Sequence, residues 1–281
     1  MQLYHFDNAE QYYERVKKYL LQNEAEHCLI FGTLNNLIHF PKFSTAPPYL
    51  VTAEEDGILA VAVRTPLHKL ILSRSLNSDA IKALAQDLYF RSQPLPGLIA
   101  PNVEATTFVQ AWQALTGQTY KISMALRIHQ LETVQPIPKA SGYLRQASKC
   151  ERNLLISWCQ AFTKEALGRT IERDNRSLID RHLSEVSLYI WQDNFPVSMA
   201  GFSGATPNGI RINLVYTPPE YRRKGYATSC VATLSQTLLN EGRKYCFLFT
   251  DLANSTSNHI YRTIGYQPVC DLNDYWFEDS M

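Results

Sequence analysis

No stretch of the 281 residues stays apolar for the roughly 18 to 20 positions that a membrane-spanning helix needs. The amino terminus, Met1-Gln2-Leu3-Tyr4-His5-Phe6-Asp7, has neither the basic nor the apolar region of a secretory leader, so a cytoplasmic location without a membrane partner is expected. The six cysteines, at 28, 150, 159, 230, 246 and 270, form no C-x-x-C pair and have no accompanying histidine spacing that would suggest zinc, so no metal site is expected. Most read as small buried hydrophobes, and Cys230, the one candidate nucleophile by position, reads as core packing too. Net charge is only +1, too little to gather nucleic acid over a broad face, which leaves Arg222-Arg223-Lys224 as a local cluster. With 45% apolar and 19% charged residues, what is left is a globular protein of a length natural for two ordinary domains.

The richest stretch is 215–227, Val-Tyr-Thr-Pro-Pro-Glu-Tyr-Arg-Arg-Lys-Gly-Tyr-Ala. Residues 210–216 are branched and aromatic, as in a strand, and Pro218-Pro219 ends it by removing two backbone donors. From Thr228 onward, Val231, Leu234, Leu238 and Leu239 recur at helical spacing, with Gly242 just past the last turn. A helix that starts between these segments points its unpaired N–H groups and partial positive charge at whatever lies before it. Gly225 and Ala227 are small enough to let a pyrophosphate approach the backbone, and the three cations add diffuse attraction. Downstream, residues 245–250 read as a second buried strand, followed by a short helix ending near Gly265.

Arg222-x-x-Gly225-x-Ala227 resembles the signature of the GNAT acyltransferase superfamily: Gln or Arg, two variable residues, Gly, one variable residue, then Gly or Ala. Asn254-x-x-Ser257-x-x-x-Tyr261-x-x-x-Gly265-Tyr266 is similar to a second pattern of that superfamily, in the right order and one helix and one strand away. The resemblance implies an α/β (α+β) acyl-CoA N-acyltransferase fold, with a mixed, mostly antiparallel central sheet flanked by helices. It implies acetyl-CoA as co-substrate, a small-molecule or peptide amine as acceptor, and direct attack in a ternary complex without a covalent intermediate. The cofactor would lie against Val215, Tyr216 and Thr217, then against Arg222, Arg223, Lys224, Gly225, Tyr226, Ala227 and Thr228, with Asn254 and Asn258 on the second helix. Tyr261 would stand near the thioester sulfur, where a phenol can donate to a departing thiolate. Plain structural uses stand beside these: Asn254 as a helix cap, Tyr261 as one core tyrosine among 16.

One departure concerns the base. Superfamily members often carry a glutamate on the strand before the cradle, but here that strand reads Arg211-Ile212-Asn213-Leu214. Glu165, Asp251 and His182 are substitutes that would act through water, each also an ordinary helix-surface or strand-end residue. Glu220 reads as the local ion partner of Arg222 and Arg223, worth little. The missing carboxylate keeps a second reading open, a module that binds or senses a CoA thioester without transferring its acyl group.

Residues 132–141, Glu-Thr-Val-Gln-Pro-Ile-Pro-Lys-Ala-Ser, hold two prolines and no apolar periodicity, and read as a linker between a domain at 1–131 and the transferase module at 142–281. The module is expected to run strand, two helices, three strands, helix, strand, helix, strand, with a hairpin turn at Asp193-Asn194. In the first half, 8–21, 80–89 and 108–116 read as helices, the last stopped at Gly117. Residues 27–31, 49–53, 58–64 and 120–129 read as strands, with a hairpin at Asp56-Gly57. This order echoes the module. The segment Gly97-Leu-Ile-Ala-Pro101, the helix Phe108-x-x-x-Trp112 and the strand around 124–127 resemble bacterial tandem GNAT proteins with a degenerate amino-terminal half. Leu98-Ile99-Ala100-Pro101 is expected at the place corresponding to the cradle, without cations or glycine, so cofactor should bind once per chain.

Overall fold

The structure, a computed structural model, describes residues 1–40, 47–92, 94–167 and 174–279. The same order of elements runs through the chain twice. The first pass is β1 (Gln2–His5), α1 (Ala9–Leu20), α2 (Cys28–His39), β2 (Tyr49–Glu54), β3 (Ile58–Arg64), β4 (Leu70–Leu72), α3 (Ser78–Phe90), β5 (Gly97–Pro101), α4 (Asn102–Thr116) and β6 (Thr119–Leu131). The second is β7 (Tyr143–Gln146), α5 (Arg152–Leu167), α6 (Asn175–Ser184), β8 (Leu188–Asp193), β9 (Phe195–Ser203), β10 (Gly209–Tyr216), α7 (Tyr226–Asn240), β11 (Tyr245–Asp251), α8 (Ser255–Ile264) and β12 (Gln267–Glu278). The second pass follows the expected order strand by strand. The first adds β1, β4 and β5 to the strands read from sequence.

All of these strands join one twelve-stranded sheet, ordered β1-β2-β3-β4-β5-β12-β6-β11-β10-β9-β8-β7. Two of its pairings, β4 with β5 and β10 with β11, are parallel, and the others are antiparallel, the mixed sheet expected. The order at the centre shows an exchange. β12 pairs with β5 of the first half from Leu272–Pro101 to Trp276–Gly97, and β6 pairs with β11 of the second half from Cys246–Leu131 to Asp251–Leu126. Each half is thus completed by the last strand of the other, and β6 and β12 pair with one another between them. The edges of β5 and β11 that face away from β4 and β10 find their strand partners through this exchange.

Alternation along the strands sorts the helices onto two faces. On β10 and β11, Ile210, Ile212, Cys246 and Leu248 pack against α7 and α8. Phe247, between them, packs on the other face with Cys28 of α2 and Ala25. Leu214, Tyr216 and Met199 meet α5 and α6 on that same other face. In the first half, α3 and α4 cover Val51, Ala53, Ala60 and Ala62, while α1 and α2 cover Leu50, Val61 and Val63.

Residues 27–31, expected as a strand, are the start of α2 instead. A short apolar run such as Cys-Leu-Ile-Phe fits a buried strand and a buried helix equally well, and the longer run through Leu34 decides for the helix. Gly32 lets α2 lie directly on the β9–β10 turn, since a Cβ there would come within 2.9 Å of the Gly204 Cα. Glu24 fastens the same contact by accepting from the Asn208 N–H at 2.8 Å and its side-chain amide at 2.7 Å. Residues 132–141 run over the outside of α7 and α8: Gln135 N–H donates to the Ile264 carbonyl at 2.8 Å and Ala140 N–H to Ser229 Oγ at 2.9 Å. Among the described residues no helix is long and apolar enough to cross a membrane.

Two outcomes are expected from the exchange. Fragments 1–131 and 142–281 made separately each lack a central strand, so circular dichroism and gel filtration should find both unfolded or associated, while co-expression should yield a folded one-to-one complex. The exchanged strands are also joined by a two-pronged ion pair, Arg127 Nε and a terminal nitrogen to Asp271 at 2.7 and 2.9 Å, which holds the Asp271 carboxyl below its ordinary value. A depressed carboxyl stabilises the fold above its unfolded pKa and loses that contribution as the pH falls through the folded one. Asp271→Asn should therefore cost about 1 kcal/mol at pH 7, a figure already reduced for the pair's partial exposure, with the difference shrinking below about pH 4 in urea titrations.

Candidate cofactor site

The parallel pairing of β10 with β11 lasts for three positions, Gly209–Tyr245, Ile210–Cys246 and Arg211–Phe247. Gly209 permits the tight start, because a Cβ there would lie 2.3 Å from the Phe247 ring. Past Arg211 the strands part. A bulge shifts β10 against β9 between Asn213 and Tyr216, with Leu214 held at φ 49°, while β11 stays on β6 through Asp251. The facing backbone edges of 212–216 and 248–251 are thereby left unpaired with each other, and they open as a V toward the start of α7.

At the mouth of the V, a 3-10 turn at Pro219–Tyr221 is followed by Arg223 at φ 62° and Gly225 at φ 77°, the residue from which α7 begins. Among the described residues no side chain caps α7. With Arg222 extended and residues 223 and 225 left-handed, this turn can line a concavity with N–H groups that suits an anion. Gly225 is needed for its φ, since a Cβ would meet no more than the Ala140 methyl, at 3.7 Å.

The cradle side chains divide by role. Arg222 turns back onto the protein, donating from Nε to the Thr217 carbonyl at 2.9 Å and from a terminal nitrogen to Glu165 of α5 at 2.7 Å, with its guanidinium 5.8 Å from the Tyr216 ring centre. It pairs with Glu165 and not with Glu220, as sequence proximity suggested. The reason is reach: the turn carries the Arg222 side chain toward α5. Arg223 and Lys224 are exposed, Lys224 above the Tyr221 ring. The Tyr226 hydroxyl donates to Asp193 at 2.5 Å, and Ser141 donates to the same carboxylate at 2.6 Å. The bond from Ser141 and then that from Tyr226 hold the Asp193 carboxyl below its ordinary value. Ser198 bonds to the Tyr216 carbonyl at 3.1 Å and lies 2.8 Å from the Thr217 hydroxyl, fixing the strand end, and Val215 packs toward α7. Ala227 and Thr228 lie half-buried in the first turn of α7.

On the opposite arm, Asn254 caps α8, accepting from the Ser257 N–H at 3.0 Å. Asn258 donates to the carbonyls of Asp251 at 3.0 Å and Asn254 at 2.8 Å and accepts from the Thr250 hydroxyl at 2.7 Å. Both asparagine side chains are thus spent on seating α8 on β11. Tyr261, on the same helix, is buried against Tyr266 in an edge contact of 5.9 Å and lies beside Cys230. Burial raises its phenol well above the ordinary value, followed by the nearby Cys230 thiol. Among the described residues its hydroxyl makes no hydrogen bond, so a neutral donor is available.

The three carboxylate or imidazole groups considered as bases are engaged elsewhere. Glu165 holds Arg222, Asp251 accepts from the Ala253 N–H at 2.9 Å, and His182 is buried with Nδ1 2.7 Å from Ser187 Oγ. On the face away from α7, Arg211 lies 5.3 Å from the Phe249 ring centre and Asn213 donates to Ser203 at 2.5 Å. Among the described residues no group of three or more His, Cys, Asp and Glu side chains is placed to hold a metal ion.

The first half contains the same device with its donors already used. β4 and β5 pair in parallel at Leu70–Leu98 and Ile71–Ile99, and the loop 73–77 leads into α3. That loop is the counterpart of the cradle, whereas 98–101, expected there, is β5, the counterpart of β11. The short strand β4, invisible in the sequence pattern, caused the displacement. Arg74 N–H donates to His27 Nε2 at 3.1 Å, Ser75 N–H to Glu104 Oε1 at 2.7 Å, and the N–H groups of Asp79 and Ala80 to Asn77 Oδ1 at 3.0 Å each. Glu104 is buried, which raises its carboxyl. The sequence did carry one sign of this, Asn77-Ser78-Asp79 being a helix start with its own cap.

Residues 196–277 match the family model described as FR47-like protein. No curated protein matches the chain. Among solved structures, an acetyltransferase of the GNAT family from Colwellia psychrerythraea is 10% identical with a TM-score of 0.57, over 100% of both chains. A GCN5-related N-acetyltransferase from Sphaerobacter thermophilus is 12% identical with a TM-score of 0.62, over 99% of this chain and 95% of the other. A tandem GNAT protein from the clavulanic acid biosynthesis pathway is 12% identical with a TM-score of 0.55, over 99% and 98%. At such identities the likeness is one of fold, and it extends over both halves. Together with the family match across the open cleft, it gives the chain the fold of the GNAT acetyltransferases, with the same order of elements present twice.

Proposed function

We propose that the protein is an N-acetyltransferase that moves an acetyl group from acetyl-CoA to a primary amine by direct attack, using the second half of the chain. The observation that carries this is the contrast between the two clefts. One ends in an uncapped helix with a left-handed glycine, while the other has its amides taken by Glu104 and Asn77. The uncapped start of α7 suits a pyrophosphate, and the unpaired edges of β10 and β11 suit an extended amide-bearing arm. Bound there, acetyl-CoA supplies the activated acyl group. A strand N–H in the V would stabilise the oxyanion formed by attack, Tyr261 would give its proton to the thiolate as the C–S bond breaks, and the amine would lose a proton to water, from which the tyrosinate regains one. The amine enters from the face opposite α7 and α8. Holding the reactants side by side accounts for on the order of 7 kcal/mol of the barrier.

A second reading, a module that binds the thioester without transfer, is favoured by one observation: β10 carries no carboxylate, and Glu165, Asp251 and His182 are engaged elsewhere. Free-thiol release from acetyl-CoA across a panel of amines separates the two. Release above the solvent rate for some amine is expected, and release at the solvent rate for every amine supports the binder.

Two variants test the parts. Tyr261→Phe should lower turnover by about 10²-fold while changing CoA affinity by less than about twofold, as befits a general acid; parental turnover would remove the acid role. Gly225→Glu places a side chain at a left-handed position and an anion in the cradle, and should abolish CoA binding by calorimetry. An unchanged affinity would end the cradle assignment.

A further inference from the structure

The cofactor cleft belongs to the second half, yet the strand behind β11 belongs to the first. On that strand, β6, His129 stands opposite Leu248 of β11 and Pro268 of β12, with 1% of its surface exposed. Its Nε2 lies 3.1 Å from Thr250 Oγ1, and the Thr250 hydroxyl donates to Asn258 Oδ1 at 2.7 Å. Because the threonine proton is committed to Asn258, His129 is the donor to Thr250. A proton therefore sits on Nε2, and among the described residues Nδ1 has no hydrogen-bond partner. Asn258 in turn grips the carbonyls of Asp251 and Asn254, the residues that lead into α8. One chain of hydrogen bonds thus runs from a strand of the first half, across β11, into the first turn of the helix that carries Tyr261.

We propose that His129 is a positioning residue for the transfer step, holding the Thr250–Asn258 pair so that α8 presents Tyr261 at a fixed pose. Three facts support a role beyond filling space. The donor acts on a buried side chain rather than on backbone. The chain ends on the residue that seats α8, because Thr250 Oγ1 takes its donor from His129 and gives its proton to Asn258. The cost of burying an imidazole with an unmatched Nδ1 is also one that an apolar residue at 129 would avoid. The first half therefore acts on the cleft through a side chain as well as through strand pairing.

The part that concerns turnover rests on the acyltransfer reading above, so the test has an arm that does not. In full-length protein, His129→Leu removes the donor, His129→Gln keeps an N–H near the position of Nε2, and Thr250→Val breaks the chain one link later. Hydrogen exchange of the amides at 255–261, measured without any acyl donor, should quicken at least about tenfold in His129→Leu and Thr250→Val, stay parental in His129→Gln, and leave 226–240 unchanged. Thiol release should fall about 10-fold to 10²-fold in the first two variants with little change in CoA affinity, recover in His129→Gln, and fall no further in the double variant His129→Leu/Thr250→Val. Parental exchange in His129→Leu, or equal damage from Leu and Gln, overturns the assignment. A parental protein that releases no thiol defeats the acyltransfer reading instead, and the exchange result still decides the role of His129.

Discussion

The structure depends on the exchange of β6 and β12. A sheet edge is a row of unpaired amides and carbonyls, and both halves end in such an edge, at β5 and at β11. Neither half closes its own. The final strand of each lies against the other, and the two exchanged strands pair along nearly their whole length, with Arg127 and Asp271 joined at their middle. Core, face assignment and cleft follow from this. β11 can leave β10 and open the V because β6 supports its far side throughout.

The two clefts then show how one scaffold is kept or retired. Splayed parallel strands recur in both halves, so the backbone device was retained. What differs is who answers the amides at the helix start. In the first half they meet Glu104 and Asn77, an internal anion and an internal cap; in the second they face outward around Gly225. Hydrogen-bond satisfaction, rather than a change of fold, separates a filled cleft from an open one. The same accounting applies to Asn254 and Asn258, whose side chains are consumed in holding α8.

Much of the second half was legible in its sequence because its signals are local. Pro218-Pro219 ends a strand, Gly225 begins a helix, Asn254 caps another and Gly265 ends it, each through the conformation of a few neighbouring residues. The exchange was not legible. Pairing of β12 with β5 joins residues about 170 positions apart, and nothing in either strand names its partner. Residues 27–31 misread as a strand because a four-residue apolar run has no period of its own. The three-residue β4 was too short to announce itself, which moved the expected counterpart of the cradle from 73–77 to 98–101. Arg222 was legible as a cradle residue by position, but its partner Glu165, 57 residues away in sequence, was set by tertiary approach.

The place of β12 between β5 and β6 also governs the order in which the molecule can be built. Translation delivers residues 1–131 long before residues 267–278, yet the earlier segment waits for the later one to supply its sixth strand. Domain-by-domain maturation on the ribosome, the ordinary route for a two-unit chain, is closed to it. The nascent first half must persist with a bare rim at β5 until residues 267–278 have emerged, and both lobes then lock in a single event.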